Sequence, residues 1–146
     1  MRQEKNNEKK HSCSAVLFTC LDWRLHPQIE NYFKQKYRTF DLCVVAGSLK
    51  GLLDKTTQDY FLKQIEISQK LHNSKTIILT MHKDCGAYGG SLNFKDPKEE
   101  FSHHKNILAK TEKIVFQKFP KTKVLKYFIN LEFKKDKWVS HYRIVR

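Results

Sequence analysis

Short, continuous apolar runs alternate along the chain with longer stretches in which apolar residues recur every three or four positions. The short runs are typical of strands buried on both faces, and the longer stretches are typical of amphipathic helices. The predicted strands run from Ser14 to Cys20, from Phe40 to Val45 and from Thr76 to Met81. The predicted helices start near Pro27, Thr56 and Pro97 and end near Tyr37, Leu71 and Phe119.

The last part of the chain has a different pattern. Apolar and mostly polar residues alternate from Val124 to Phe133, and a second strand-like run extends from Trp138 to Val145. The short turn between them predicts an antiparallel pair. The earlier strands alternate with helices, which implies a mostly parallel sheet covered by helices on both faces. We therefore predict an α/β fold with strand order 2-1-3-4 and a fifth, antiparallel strand at the edge.

The length of 146 residues suits one domain. Residues 1–12 are polar and are predicted to form a mobile arm, and residues 13–146 are predicted to form a single α/β domain. No apolar run reaches the roughly 18 residues of a membrane-spanning helix, and the N-terminus lacks the apolar centre of a secretory signal. We therefore expect a cytoplasmic protein whose four cysteines are thiols or metal ligands rather than disulfides.

The formal net charge of +13 raises the question of a nucleic-acid partner. All but five of the 28 basic residues are lysines, and they are spread over the whole chain. Proteins that read bases favour the planar fork of arginine, and the arginines here form no cluster. The charge therefore argues for general solvation and attraction of small anions rather than for nucleic-acid binding.

Candidate metal ligands stand at the ends of two predicted strands. Cys20 ends the first strand, and His82 and Cys85 follow the third. In the predicted sheet the strand order reverses between these two parallel strands, and their carboxyl ends lie side by side. Two sulfurs and one imidazole suit a tetrahedral zinc ion and leave one position open, as in catalytic sites.

An acid and a base follow the first of these ligands. Asp22 lies two residues beyond Cys20, near enough to accept a hydrogen bond from a hydroxide on the metal. Arg24 lies on the same side of an extended stretch, where an ion pair would keep Asp22 charged. Other thiols and imidazoles are not expected to bind the metal. Cys13 is predicted to be a spare thiol, Cys43 a buried inert thiol, and His103 and His104 helix-surface residues.

The two segments that carry these residues resemble the signature motifs of the β-class carbonic anhydrases. They are Cys20-Leu21-Asp22-Trp23-Arg24 and His82-Lys83-Asp84-Cys85-Gly86. The pair Ala46-Gly47 resembles the family's second active-site turn, although Trp23 stands where the family usually has a small residue. The resemblance extends from about Ala15 to the final strands.

The resemblance implies a Zn²⁺ cofactor and the reversible hydration of carbon dioxide to bicarbonate and a proton. Asp22 would orient the reactive hydroxide, or become a fourth zinc ligand in an inactive form, and Arg24 would hold Asp22 away from the metal. Ala46, Gly47 and Gly86 would line the substrate position. The resemblance also implies a homodimer or higher oligomer.

Two alternatives stay open from the sequence. Relatives that hydrolyse carbonyl sulfide or carbon disulfide share the same zinc ligands. A basic zinc protein without catalytic activity could instead bind nucleic acid or a protein partner.

Overall fold

A computed structural model describes residues 11–146 of the chain. The predicted mobile arm, except for its last two residues, lies outside the described residues. The strands are β1 (Ala15–Cys20), β2 (Phe40–Val45), β3 (Thr76–His82), β4 (Lys123–Lys134) and β5 (Lys137–Ile144). The helices are α1 (Gln28–Tyr37), α2 (Lys50–Leu53), α3 (Gln58–His72) and α4 (Pro97–Lys118).

The strands form one sheet of order β2-β1-β3-β4-β5. The first four are parallel to one another, and β5 is antiparallel to β4. The predicted fold class, strand order and antiparallel edge are therefore confirmed. The two central strands β1 and β3 are buried almost throughout, as their continuous apolar sequences predict.

Helices cover both faces of this sheet, because alternate residues of each central strand point to opposite sides. On one face, Phe18 and Leu79 pack with residues of α3 and α4 such as Ile65 and Leu108. On the other face, Leu17 packs with residues of α1 and β4. The two apolar clusters pack β1 and β3 from both faces and so fix where their last residues lie.

Local sequence signals end and start the helices at the predicted places. Asn73 ends α3 in a left-handed conformation with φ of 54°. Asp96 caps α4 by accepting hydrogen bonds from the amides of Lys98 and Glu99. The four-residue helix α2 was not predicted, because one turn is too short to show a periodic pattern.

The prediction that His104 is a helix-surface residue is wrong. His104 is fully buried and lies on the same stripe of α4 as Leu108 and Thr111. Burial lowers the pKa of His104 to about 4, so the imidazole is neutral within the core.

Among the described residues, none of the helices has the length and apolar character needed to cross a membrane.

We expect Gly51→Ala to destabilise the fold by about 1–3 kcal/mol, as overpacking of a core does. A Cβ atom on Gly51 of α2 would lie 2.1 Å from Cε2 of Phe61, a ring that stacks on Phe18. Gly86→Ala is the matched control, since no atom lies within 4 Å of its added Cβ. Urea unfolding measures both variants. Equal stability of the two would show that α2 and Phe61 can separate at no cost.

Candidate metal centre

Parallel pairing of β1 with β3 brings three donor side chains to one edge of the sheet. Cys20 is the last residue of β1, His82 is the last residue of β3, and Cys85 lies in the loop that follows. Their ligand atoms all lie within 4.8 Å of one another. All three residues are at most 5% exposed. The structure therefore brings the three predicted ligands together in a buried cluster that could hold a metal ion.

The hydrogen bonding of His82 fits a metal ligand. Nδ1 lies 2.8 Å from the carbonyl oxygen of Lys83, to which it can donate a proton. The other ring nitrogen, Nε2, is buried and has no hydrogen-bond partner. A backbone acceptor on one nitrogen leaves the lone pair of the other free for a metal. An unpartnered buried nitrogen is otherwise costly, so the donor set suits an ion.

The two thiols of the cluster influence each other. Contact with Cys85 lowers the pKa of the Cys20 thiol, against the opposing effect of burial. The same contact, together with burial, raises the pKa of Cys85. Two thiolates side by side would repel each other, and a divalent cation removes that repulsion. The electrostatics of the cluster therefore favour a bound cation.

Asp22 and Arg24 form a multiply hydrogen-bonded ion pair beside the cluster. The carboxylate of Asp22 accepts from the backbone amide of Arg24 at 3.0 Å, from Nε at 3.0 Å and from Nη2 at 2.6 Å. Burial alone would raise the pKa of Asp22, but these hydrogen bonds hold it below its usual value. Oδ2 of Asp22 lies 4.0 Å from Nε2 of His82. A charged carboxylate therefore stands at the edge of the donor cluster.

Arg24 has two further partners that the sequence did not reveal. Its Nη1 donates to Oδ2 of Asp84 at 2.8 Å, and its Nη2 donates to the backbone oxygen of Asp84 at 2.9 Å. Its guanidinium carbon lies 4.9 Å from the ring centroid of Trp138 in β5. Asp84 belongs to the second motif, so the sequence does place it near the metal ligands. Trp138 is too distant in sequence for any local pattern to connect it with Arg24.

Two carboxylates outside the motifs support the backbone around the ligands. Glu100 of α4 is buried and accepts hydrogen bonds from the amide of Asp84 at 2.6 Å and from the hydroxyl of Ser91 at 2.9 Å. Glu30 of α1 contacts Nδ1 of His26, whose Nε2 lies 2.9 Å from the carbonyl oxygen of Cys20. Both ligand-bearing segments are therefore fixed by a buried or half-buried acid.

A pocket of about 770 Å³ opens beside the cluster. Its lining includes Cys20 and Asp22 together with the three predicted substrate-binding residues Ala46, Gly47 and Gly86. Gly47 has φ of 73°, and a Cβ there would lie 2.9 Å from Cβ of Ala87, so a glycine is needed at this turn. Trp23 also lines the pocket and is 73% exposed.

A family model described as "Putative carbonic anhydrase" matches residues 10–139 of the chain. The chain belongs to this carbonic anhydrase family. The match includes both motifs, strands β1 to β4 and the first three residues of β5.

Two relatives of this carbonic anhydrase family member are uncharacterized proteins of Rickettsia. The one from Rickettsia bellii is 32% identical over 134 residues, covering 84% of this chain and 79% of the relative. The one from Rickettsia conorii is 31% identical over 134 residues, covering 84% of this chain and 70% of the relative.

Solved structures of carbonic anhydrases share the fold. The β-carbonic anhydrase isoform I of Trichomonas vaginalis superposes with a TM-score of 0.58 at 14% identity, over 86% of this chain and 80% of that one. A carbonic anhydrase of Streptococcus mutans gives 0.52 at 15% identity, over 99% of this chain and 94% of that one. The β-carbonic anhydrase fold predicted from the two motifs is thereby confirmed.

We expect replacement of Cys20, His82 or Cys85 by Ala to remove one equivalent of zinc per chain, because each supplies a buried donor to the cluster. Metal analysis of the purified variants by mass spectrometry measures the loss. Cys43→Ser is the control, since burial raises the pKa of Cys43 to about 11 and its sulfur is not part of the cluster. Unchanged zinc content in all three Ala variants would refute this metal site.

Proposed function

We propose that the protein is a zinc-dependent carbonic anhydrase that interconverts carbon dioxide and bicarbonate. The observation that carries this proposal is the buried Cys20–His82–Cys85 cluster with a charged carboxylate held beside it. The three donor atoms lie within 4.8 Å of one another, and Asp22 is 4.0 Å from the unpartnered nitrogen of His82. Membership of the carbonic anhydrase family supports the same reaction.

Three donors and a restrained acid suit a catalytic centre better than a structural one. Structural zinc sites are usually closed by four protein ligands, whereas catalytic sites keep one position open. Asp22 is the nearest candidate for a fourth ligand, but Arg24 occupies both of its oxygens. When bound, Zn²⁺ would act as a Lewis acid that lowers the pKa of a water molecule to about 7.

The role of Asp22 is to orient the reacting water. Its pKa is held low by Arg24, so the carboxylate stays an acceptor and does not become a proton donor at neutral pH. Oδ2, the oxygen closer to His82, would accept a hydrogen bond from a water molecule held beside the donor cluster. This contact would direct the oxygen lone pair toward a carbon atom in the pocket.

The role of Arg24 is to keep Asp22 from the metal. The pair is only about 15% exposed, so its attraction is weakly screened by solvent. Asp84 and the ring of Trp138 hold the guanidinium from its other sides. Arg24 is therefore a positioning residue that acts through Asp22, and Asp84 supports it.

The pocket wall suits a small apolar substrate. Carbon dioxide is linear and carries no charge, and Ala46, Gly47 and Ala87 present mainly backbone and methyl groups to the pocket. Sulfur analogues of carbon dioxide would fit the same wall and react at the same centre. The choice between them therefore depends on measured turnover rather than on the donor set.

A second copy of the chain would cover the apolar surface around the pocket. Leu21 and Trp23 are exposed at its rim, and Leu42 and Val44 are each 40% exposed on β2. No strand pairs with the outer edge of β2 within residues 11–146. An open strand edge with apolar side chains is a ready surface for association. We therefore include a homodimer or higher oligomer in the proposal.

We also propose a cytoplasmic location, because the four cysteines are free thiols.

Arg24→Ala should keep zinc at the cluster yet lose at least about 10²-fold in carbon dioxide hydration, a loss typical of a displaced electrostatic group. Without Arg24, the Asp22 carboxylate is free to enter the open position and exclude water. Asp22→Asn should also keep zinc and lose rate, because the reacting group is no longer oriented. Stopped-flow hydration assays with parallel zinc analysis measure both variants.

Arg143→Ala is the matched control for the arginine variant. Arg143 also stacks on an aromatic ring, 4.3 Å from the centroid of Phe101, but it does not line the pocket. Equal turnover by wild type, Arg24→Ala and Asp22→Asn would deny the pair any role in the reaction. If zinc-loaded wild type shows no hydration at any pH, carbon dioxide is not the substrate, and carbonyl sulfide and carbon disulfide would be assayed next.

Binding of a DNA or RNA duplex that survives physiological salt would favour the nucleic-acid alternative.

Val44→Lys should convert the oligomer to monomers, because a charged side chain on an open strand edge opposes pairing with another edge. Sedimentation velocity of the purified chain measures the change. Leu71→Lys is the control, since Leu71 is also an exposed apolar residue but belongs to α3 rather than to a strand edge. A monomeric wild type, or an unchanged oligomer in Val44→Lys, would contradict association through this edge.

A further inference from the structure

A second cluster of metal-type donors lies at the opposite edge of the sheet. Cys13 precedes β1, Asp41 is the second residue of β2, and His72 ends α3 just before β3. The sulfur, a carboxylate oxygen and an imidazole nitrogen lie within 4.8 Å of one another. Cys20 stands at the far end of β1, roughly 20 Å away at the usual rise of a strand. This cluster is therefore separate from the pocket.

The contacts within the cluster are specific. Nδ1 of His72 lies 2.8 Å and 2.7 Å from the two carboxylate oxygens of Asp41. Sγ of Cys13 lies 3.5 Å from Oδ2 of Asp41 and 3.3 Å from the carbonyl oxygen of Ala15. The backbone amide of Cys13 donates to the carbonyl oxygen of His72 at 2.8 Å, which fixes the two residues side by side.

We propose that Cys13, Asp41 and His72 bind a second zinc ion. Sulfur, imidazole nitrogen and carboxylate oxygen are the three donor types that zinc takes in proteins. Sulfur and oxygen ligands on a tetrahedral zinc lie roughly 3.5 Å apart, given the usual bond lengths. Sγ of Cys13 lies 3.5 Å from Oδ2 of Asp41. The distance from Nδ1 of His72 to the Asp41 carboxylate would have to increase by roughly 0.5 Å to match the nitrogen-to-oxygen separation on a tetrahedral zinc.

Charge and access also fit a divalent cation. A thiolate and a carboxylate together neutralise Zn²⁺, so the occupied site would carry no net charge. The side chains of His72 and Asp41 are 27% and 31% exposed, which lets an ion enter and lets the side chains adjust. Without a metal, the same three residues form a hydrogen-bonded group around one carboxylate. Zinc content distinguishes the two states.

His11 is placed to supply a fourth ligand. Its exposed ring lies edge-on to the ring of His72, with the centroids 4.6 Å apart. Rotation of the side chain would bring a ring nitrogen to the cluster. Four protein ligands would close the coordination shell, as in structural zinc sites. The second zinc would therefore tie the segment before β1 to β2 and α3 and would take no part in the reaction.

Zinc stoichiometry of the purified full-length chain tests the proposal. Wild type is expected to hold two zinc ions per chain after equilibration with zinc and removal of the excess. Cys13→Ser, Asp41→Asn and His72→Gln should each hold one and should keep carbon dioxide hydration. Cys43→Ser is the matched control, a thiol two residues from Asp41 in the same strand that is outside the cluster, and should hold two.

Cobalt spectra and the rate of zinc release also test the second zinc site. Cobalt substitution should give a thiolate-to-metal absorption band that weakens in Cys13→Ser and is unchanged in Cys43→Ser. His11→Ala should release its second zinc to a chelator faster than wild type does. A single zinc in wild type that Cys13→Ser retains would overturn the proposal and leave a hydrogen-bonded group alone. If Cys13→Ser does not fold, Asp41→Asn and His72→Gln provide the same comparison.

Discussion

The ion pair between Arg24 and Asp22 is the contact on which the proposed chemistry depends. A carboxylate 4.0 Å from a ligand nitrogen would naturally coordinate a divalent cation. Arg24 engages both oxygens of Asp22 from a position where solvent screens little, and would thereby keep the carboxylate from a bound cation. The same carboxylate would then be a hydrogen-bond acceptor rather than a ligand. In the proposed mechanism, the difference between an open and a closed centre depends on one guanidinium.

The surrounding structure holds that guanidinium in place from three directions. Asp22 follows β1, Asp84 lies in the loop after β3, and Trp138 belongs to β5. Asp84 is itself fixed, because its amide donates to Glu100 and its carboxylate accepts from the amide of Ser91. In a chain with net charge +13, acids are scarce, and several of them stand around this centre. The placement of these acidic residues fits a requirement for negative charge at the centre better than an even spread of acids over the surface.

The sequence predicts the fold and the donor cluster well because both depend on local signals. Continuous apolar runs mark β1 and β3, and the candidate ligands follow these runs directly. The contacts of Trp138 and Glu100 with the site could not be predicted, since each comes from an element distant in sequence. The burial of His104 beside Leu108 runs against the polar character of histidine, and it is possible because burial keeps the imidazole neutral. The short helix α2 has too few residues to show periodicity.

The two clusters follow from a single property of parallel sheets. Crossovers that bring the carboxyl ends of β1 and β3 together also bring their amino ends together at the opposite edge. Cys20 and His82 meet at one edge, and Cys13 and His72 meet at the other, each pair flanking the same two strands. Loops at the carboxyl edge form a pocket, which suits an open centre for catalysis. The amino edge receives the incoming chain, so a closed centre there would stabilise the start of the sheet without limiting access to the pocket.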